Sequence, residues 1–219
     1  MEFKYFLYGG IHPQNTQVDS FVLKNLHKSL PKKLCYLSPE EEYGKKEFLW
    51  TAKRFMNKGI KNCFYISLDY PFTKFHLGHL QKASLIFLGG GNTYLFLQRL
   101  RHSSFWNEIK EILQDPKKVI VGVSAGGILL THNIVMASIP SKTRDKNEVQ
   151  TRWRSAFNLI PDLFSPHYEE FRPSFHQEIK REAKKQKKTI WGVADGAGIA
   201  YSSCTSYKLL IGKVVSFIP

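Results

Sequence analysis

Short, continuous apolar runs alternate along the chain with longer stretches in which apolar residues return at helical spacing. The first kind predicts strands covered on both faces, the second amphipathic helices, and their alternation predicts an α/β layer fold. Strands are expected at Phe3–Tyr8, Leu34–Leu37, Asn62–Leu68, Leu85–Leu88, Lys118–Val123 and Ile190–Ala194. Helices are expected with Phe21, Val22, Leu26 and Leu30 on one face, from Pro39 to Asn57, over Tyr94–Leu100 and Phe105–Leu113, from Ala125 to His132, and over Pro173–Lys188. Ser38-Pro39-Glu40-Glu41 reads as a helix start, with Ser38 as cap, Pro39 in the first turn and Glu41 closing a capping box. The segment Ser138–Ser155 is polar and aperiodic and is expected to be a long surface excursion. The end predicts an antiparallel hairpin, Tyr207–Ile211 and Val214–Ile218 around a Gly212-Lys213 turn. The whole, residues 1–219, reads as one domain: a three-layer sandwich around a mostly parallel central sheet.

Composition adds limits. At 219 residues with 42% hydrophobic and 23% charged residues the chain suits a folded globular protein rather than a disordered one. No apolar run approaches the roughly 18 residues of a membrane span, so a cytoplasmic protein with no membrane partner is expected. Cys35, Cys63 and Cys204 are odd in number and widely spaced, which predicts reduced thiols rather than a disulfide framework or a zinc knuckle. A net charge of +14 describes a surface attractive to anions.

The candidate chemistry gathers at strand ends. Gly122-Val123-Ser124-Ala125-Gly126 fits the G-x-S-x-G elbow between an apolar strand and a helix. Small neighbours allow the sharp turn that stands a serine hydroxyl clear of the backbone at a helix start. Gly89-Gly90-Gly91-Asn92-Thr93 closes the preceding strand, and in a parallel sheet it opens at the same edge. Its backbone N–H groups at Gly90 or Gly91, with that of Ala125, are expected to form an oxyanion hole. A serine nucleophile needs a base and a group to orient it. His167, after Phe164-Ser165-Pro166, is the favoured base, with Pro166 expected to hold it extended near a strand end. His12 after the first strand, His76 and His79 in an expected loop, His132 in the elbow helix and His176 on a basic helix have weaker placements. Asp195, at the end of the strand Ile190–Ala194, is the favoured acid, ahead of Glu169 and Glu170.

These four segments resemble, in order and spacing, those of the S51 serine peptidases, the group of dipeptidase E and cyanophycinase. The resemblance covers nearly the whole chain. It implies a fold similar to the class I glutamine amidotransferases, flavodoxin-like in architecture, and a cytosolic Ser-His-acid peptidase with no metal or organic cofactor. It assigns Ser124 as nucleophile, His167 as base and Asp195 as acid, although the dipeptidases place Glu at the position of Asp195. Asn92, in the glycine turn, is expected to touch substrate, and the resemblance implies that an arginine downstream of the histidine binds a substrate aspartyl carboxylate. Arg172 is favoured for its proximity, with Arg181 the alternative. The expected substrate is a short peptide, with dipeptides bearing an N-terminal acidic residue as the finer expectation, and the protein is expected as a monomer or homodimer.

Two other classes compete. An α/β-hydrolase esterase shares the elbow but takes its triad in the order Ser, acid, His, whereas here the order is Ser124, His167, Asp195. An inactive basic anion-binding or nucleic-acid-binding protein would use Lys180, Arg181, Lys184, Lys185, Lys187 and Lys188. That run fits the solvated face of a helix, and no specific nucleic-acid motif accompanies it.

Overall fold

The computed structural model describes residues 3–11, 16–140, 145–168, 173–202 and 208–219. In chain order the strands are β1 (Phe3–Tyr8), β2 (Lys33–Ser38), β3 (Asn62–Ser67), β4 (Leu85–Leu88), β5 (Val119–Val123), β6 (Leu163–Ser165), β7 (Ile190–Val193), β8 (Gly198–Ser202), β9 (Lys208–Ile211) and β10 (Val214–Phe217). The helices are α1 (Thr16–Lys24), α2 (Glu41–Met56), α3 (Lys74–Lys82), α4 (Thr93–His102), α5 (Trp106–Gln114), α6 (Ala125–Leu130) and α7 (Pro173–Gln186). A seven-stranded sheet runs β3-β2-β4-β5-β1-β8-β9, and a three-stranded sheet runs β10-β7-β6. β1 to β5 pair parallel, while β8 and β9 add antiparallel at one side.

The apolar runs become strands because both faces of the sheet are covered. Leu7, Leu37, Leu88 and Ile120 enter one core with α3 to α6 and the small sheet. Their neighbours Tyr8, Tyr36, Phe87 and Val121 enter a second core with α1 and α2. Alternation along each strand thus serves two apolar layers at once, as expected of a buried parallel sheet. On the α2 side a charged pair lies inside the packing: Asp19 is fully buried and accepts from Tyr8 Oη at 2.9 Å and from Arg54 Nη2 and Nε at 2.9 and 3.0 Å.

Several expectations shift. The start of α2 is capped differently: Glu40 is the N-cap and makes no side-chain cap bond. Ser38 closes β2, and the Glu41 N–H goes to Asp69 Oδ2 from the loop after β3. His76 and His79, expected in a loop, lie on α3, where Thr73 and His76 form a capping box and His79 stacks on Phe64. A C-terminal antiparallel hairpin is present, but its paired arms are β8 and β9. The Gly212-Lys213 turn instead passes the chain to β10, which pairs with β7 in the other sheet. Gly212 has φ +77° there, and a Cβ would meet that of Ala197 at 3.0 Å. The aperiodic excursion is irregular where described and is pinned to the body: Gln98 Nε2 donates to Val149 O and Arg101 Nη2 to Ser155 O. Cys35 is buried and Cys63 partly so, both as free thiols, and Cys204 lies outside the described residues. No helix among the described residues is long and apolar enough to cross a membrane.

Asp19→Ala leaves the Arg54 guanidinium in a largely buried site without its carboxylate. The expected loss is about 3–5 kcal/mol in urea unfolding. Glu42→Ala removes only the exposed pair with Lys46 and is expected to leave the unfolding midpoint unmoved.

Candidate active site

Ser124 occupies the turn between β5 and α6 with φ 48° and ψ −110°, a conformation that side chains rarely adopt. Its surroundings fix it there. Ser124 N–H donates to Tyr8 O at 3.1 Å, and the Ile128 N–H returns to Ser124 O at 3.1 Å. The turn can close because three neighbours lack a side chain. A Cβ on Gly122 would sit 2.6 Å from Gly127 Cα, one on Gly126 2.1 Å from Leu88 O, and one on Gly127 2.5 Å from the Phe164 ring.

The histidine and the acid come from the small sheet. β6 and β7 pair in parallel with Ser165 opposite Gly192, so the residues just past their ends emerge side by side. His167 leaves β6 with φ 53°, a left-handed conformation rather than the extended one expected after Pro166. That turn aims the ring across to the elbow: Ser124 Oγ lies 2.8 Å from His167 Nε2, and His167 Nδ1 lies 2.7 Å from Asp195 Oδ1. An ionised carboxylate only accepts, so Nδ1 carries the proton and Nε2 is free to accept from the serine hydroxyl. The His167 and Asp195 side chains are 28% and 36% exposed, so the group is reachable from solvent.

A junction that sequence reasoning missed holds the two sheets at this distance. Gly9-Gly10 ends β1 directly beneath the pair. A Cβ on Gly9 would fall 2.2 Å from Ala194 O, and one on Gly10 would fall 2.2 Å from Asp195 Oδ1 and 2.9 Å from His167 Cε1. The only signal for this in the chain is the repeated glycine, which reads equally well as a strand stop.

The glycine turn after β4 stands against the elbow, since Gly126 N–H donates to Gly89 O at 3.0 Å. Its expected donors divide. Gly90 N–H donates to Glu47 Oε2 at 3.3 Å, and a carboxylate in that position repels a developing oxyanion. Gly90 is therefore not an open donor in this arrangement, contrary to expectation. Ala125 is the first residue of α6, where a backbone N–H has no intrahelical acceptor, and Gly91 follows with φ +115°. Asn92, expected to touch substrate, instead gives both ends of its amide to the chain: Oδ1 accepts from Leu95 N–H at 3.1 Å as the cap of α4, and Nδ2 donates to Lys146 O at 2.9 Å. Arg172, with His12, Glu169 and Glu170, lies outside the described residues. Arg181 is exposed on α7, whose opposite face buries Phe175, Ile179 and Ala183.

The sequence model of peptidase family S51 matches residues 12–205. The chain belongs to peptidase family S51. An uncharacterized peptidase of Listeria innocua, Lin0382, is 34% identical to this S51 chain over 89 residues, a stretch that spans 41% of each protein. The fold is similar to that of a candidate peptidase E protein from Listeria monocytogenes EGD-e, with a TM-score of 0.67 at 18% identity over the full length of both chains. It is also similar to a peptidase from an acI-B1 actinobacterium, with a TM-score of 0.59 at 14% identity over 99% of this chain and 98% of that one.

Gly10→Ala drives a methyl group into the Asp195 carboxylate. The strongly downfield imidazole proton expected in the NMR spectrum of the wild type should disappear, while circular dichroism still reports a folded protein. A retained downfield proton would contradict the close approach at Gly10.

Proposed function

We propose that this S51 chain is a serine peptidase that cleaves short peptides through an acyl-enzyme. The observation that supports it most is the unbroken relay from Ser124 Oγ to His167 Nε2 at 2.8 Å and from His167 Nδ1 to Asp195 Oδ1 at 2.7 Å. Both distances lie within the range needed for proton transfer in a hydrolase.

In this reading Ser124 Oγ attacks the scissile carbonyl carbon as its proton passes to His167 Nε2. Asp195 keeps the ring in the tautomer that can accept and stabilises the imidazolium that forms. The carbonyl oxygen takes up the negative charge against the Gly91 and Ala125 N–H groups. Collapse of the tetrahedral intermediate breaks the C–N bond, and His167 Nε2 returns the proton to the leaving amine. A water then repeats the sequence on the acyl-serine, releasing the carboxylic acid and restoring the hydroxyl.

The finer reading is a preference for dipeptides with an acidic first residue. An arginine fork would suit such a carboxylate, and Arg172 is the residue proposed for it. The net charge of +14 would favour acidic peptides in encounter.

Release of amines from a panel of dipeptides and short peptides, including aspartyl and β-linked forms, tests both levels. Ser124→Ala is expected to lower kcat by about 10⁴-fold or more, and Asp195→Asn by about 10⁴-fold. Hydrolysis that survives Ser124→Ala would overturn the serine mechanism. Equal rates with acidic and neutral first residues would overturn the finer preference alone.

A further inference from the structure

Beside the glycine turn lies an anion that the proposed chemistry does not use. Glu47, on α2, accepts from Tyr36 Oη and Tyr43 Oη at 2.9 Å each and from Gly90 N–H at 3.3 Å. Among the described residues no cation pairs with it, in a chain that carries 32 Lys and Arg against 18 Asp and Glu. The three donors are neutral, so the carboxylate is held in place with its charge uncompensated.

Its position is set on both sides. Tyr36 is fully buried in β2 and anchors Oε2 from below. Tyr43 is half exposed and holds Oε1 from the solvent side. Partial burial, then the Glu47 carboxylate and then the more distant charge of Asp195 push the Tyr43 phenol above its ordinary value, so it stays a donor. Glu47 thus stands against the glycine turn, one residue from the Gly91 N–H, and the same turn meets the Ser124 elbow through the Gly126 N–H bond to Gly89 O at 3.0 Å.

That one-residue offset has a chemical meaning. In a peptide the α-nitrogen and the carbonyl oxygen of one residue lie about 3 Å apart, as bond lengths dictate, and consecutive backbone nitrogens are separated by a similar distance. A scissile carbonyl oxygen on the Gly91 and Ala125 N–H groups therefore brings the α-nitrogen of the same residue toward the carboxylate that now accepts from Gly90. A carboxylate offers about four lone-pair positions, and three are occupied. An α-ammonium would fill the fourth or displace the long bond to Gly90, and would supply the missing positive charge.

We infer that Glu47, steadied by Tyr36 and Tyr43, binds the free α-ammonium of the peptide's first residue and so restricts cleavage to the first peptide bond of unblocked peptides. This rests on the serine-peptidase reading and deepens it by naming the residue that would read the free amino terminus. Chains whose amino terminus is acylated lack the charge and place a carbonyl group against the carboxylate. Peptides bound farther along would place an uncharged amide there.

The test compares the fastest free-amino peptide of the panel with its N-acetyl counterpart, for the wild type, Glu47→Gln and Glu47→Asp. The wild type is expected to prefer the free amine. Glu47→Gln should lower kcat/KM for the free amine by roughly 10- to 100-fold, as for loss of a charge-assisted bond, with far less change for the acetylated peptide. Glu47→Asp should recover part of that preference, because it keeps the charge. Equal rates on both peptides in the wild type, or equal losses on both in Glu47→Gln, would overturn the role given to Glu47 and make it a prop for the glycine turn. A wild type that cleaves nothing in the panel overturns the peptidase reading itself, and this inference with it.

Discussion

The backbone of Ser124 stands at φ 48° and ψ −110°, and the active arrangement depends on the protein holding it there. A residue in this region carries a cost of order 1–3 kcal/mol that the rest of the fold must offset. The offset comes from close packing. β5 passes into α6 with backbone against backbone, Gly122 on Gly127 and Gly126 on the end of β4, at distances that any Cβ would block. The same approach lets Gly126 bond to Gly89 and so brings the glycine turn to the elbow. Relaxing the turn would move the hydroxyl and separate it from the N–H groups beside it.

A second constraint is the meeting of two sheets. Ser124 follows a strand of the large sheet, and His167 and Asp195 follow strands of the small one. Their relation is held by Gly9-Gly10 beneath Asp195 and by the Gly212 turn that ties β9 of one sheet to β10 of the other. Charge is arranged to match. Asp195 bonds His167 at 2.7 Å, while Glu47 lies against the glycine turn at Gly90 with donors but no described cation. The two carboxylates thereby take different partners, the first a ring already in the fold and the second, in the inference above, the ammonium of a bound peptide.

What the sequence disclosed follows from how local each feature is. Ser124 and its glycines are contiguous, and the pattern at 122–127 contains the steric reason for the turn, so the elbow is legible directly. The sheet is legible because apolar runs covered on both faces leave no polar alternation. His167 and Asp195 could be named as strand-end residues, but their meeting depends on β6 and β7 being parallel neighbours, which neither short run declares. The left-handed turn at His167 and the capping of Glu41 by Asp69 are tertiary arrangements, invisible to spacing. Strand β8 was hidden because Asp195-Gly196 signals a turn and Gly198 weakens the pattern that follows. Glu47 was hidden among the charges of a helix that reads as solvated, since only the depth of Tyr36 and the path of the glycine turn give it a role.

The most direct test of the account is the site of covalent modification after treatment with a fluorophosphonate. Peptide mapping by mass spectrometry should find one adduct, on Ser124, formed much more slowly when His167 is replaced by alanine. An unmodified Ser124, or an adduct carried by another residue at the same rate, would contradict the claim that the strained elbow presents an activated nucleophile.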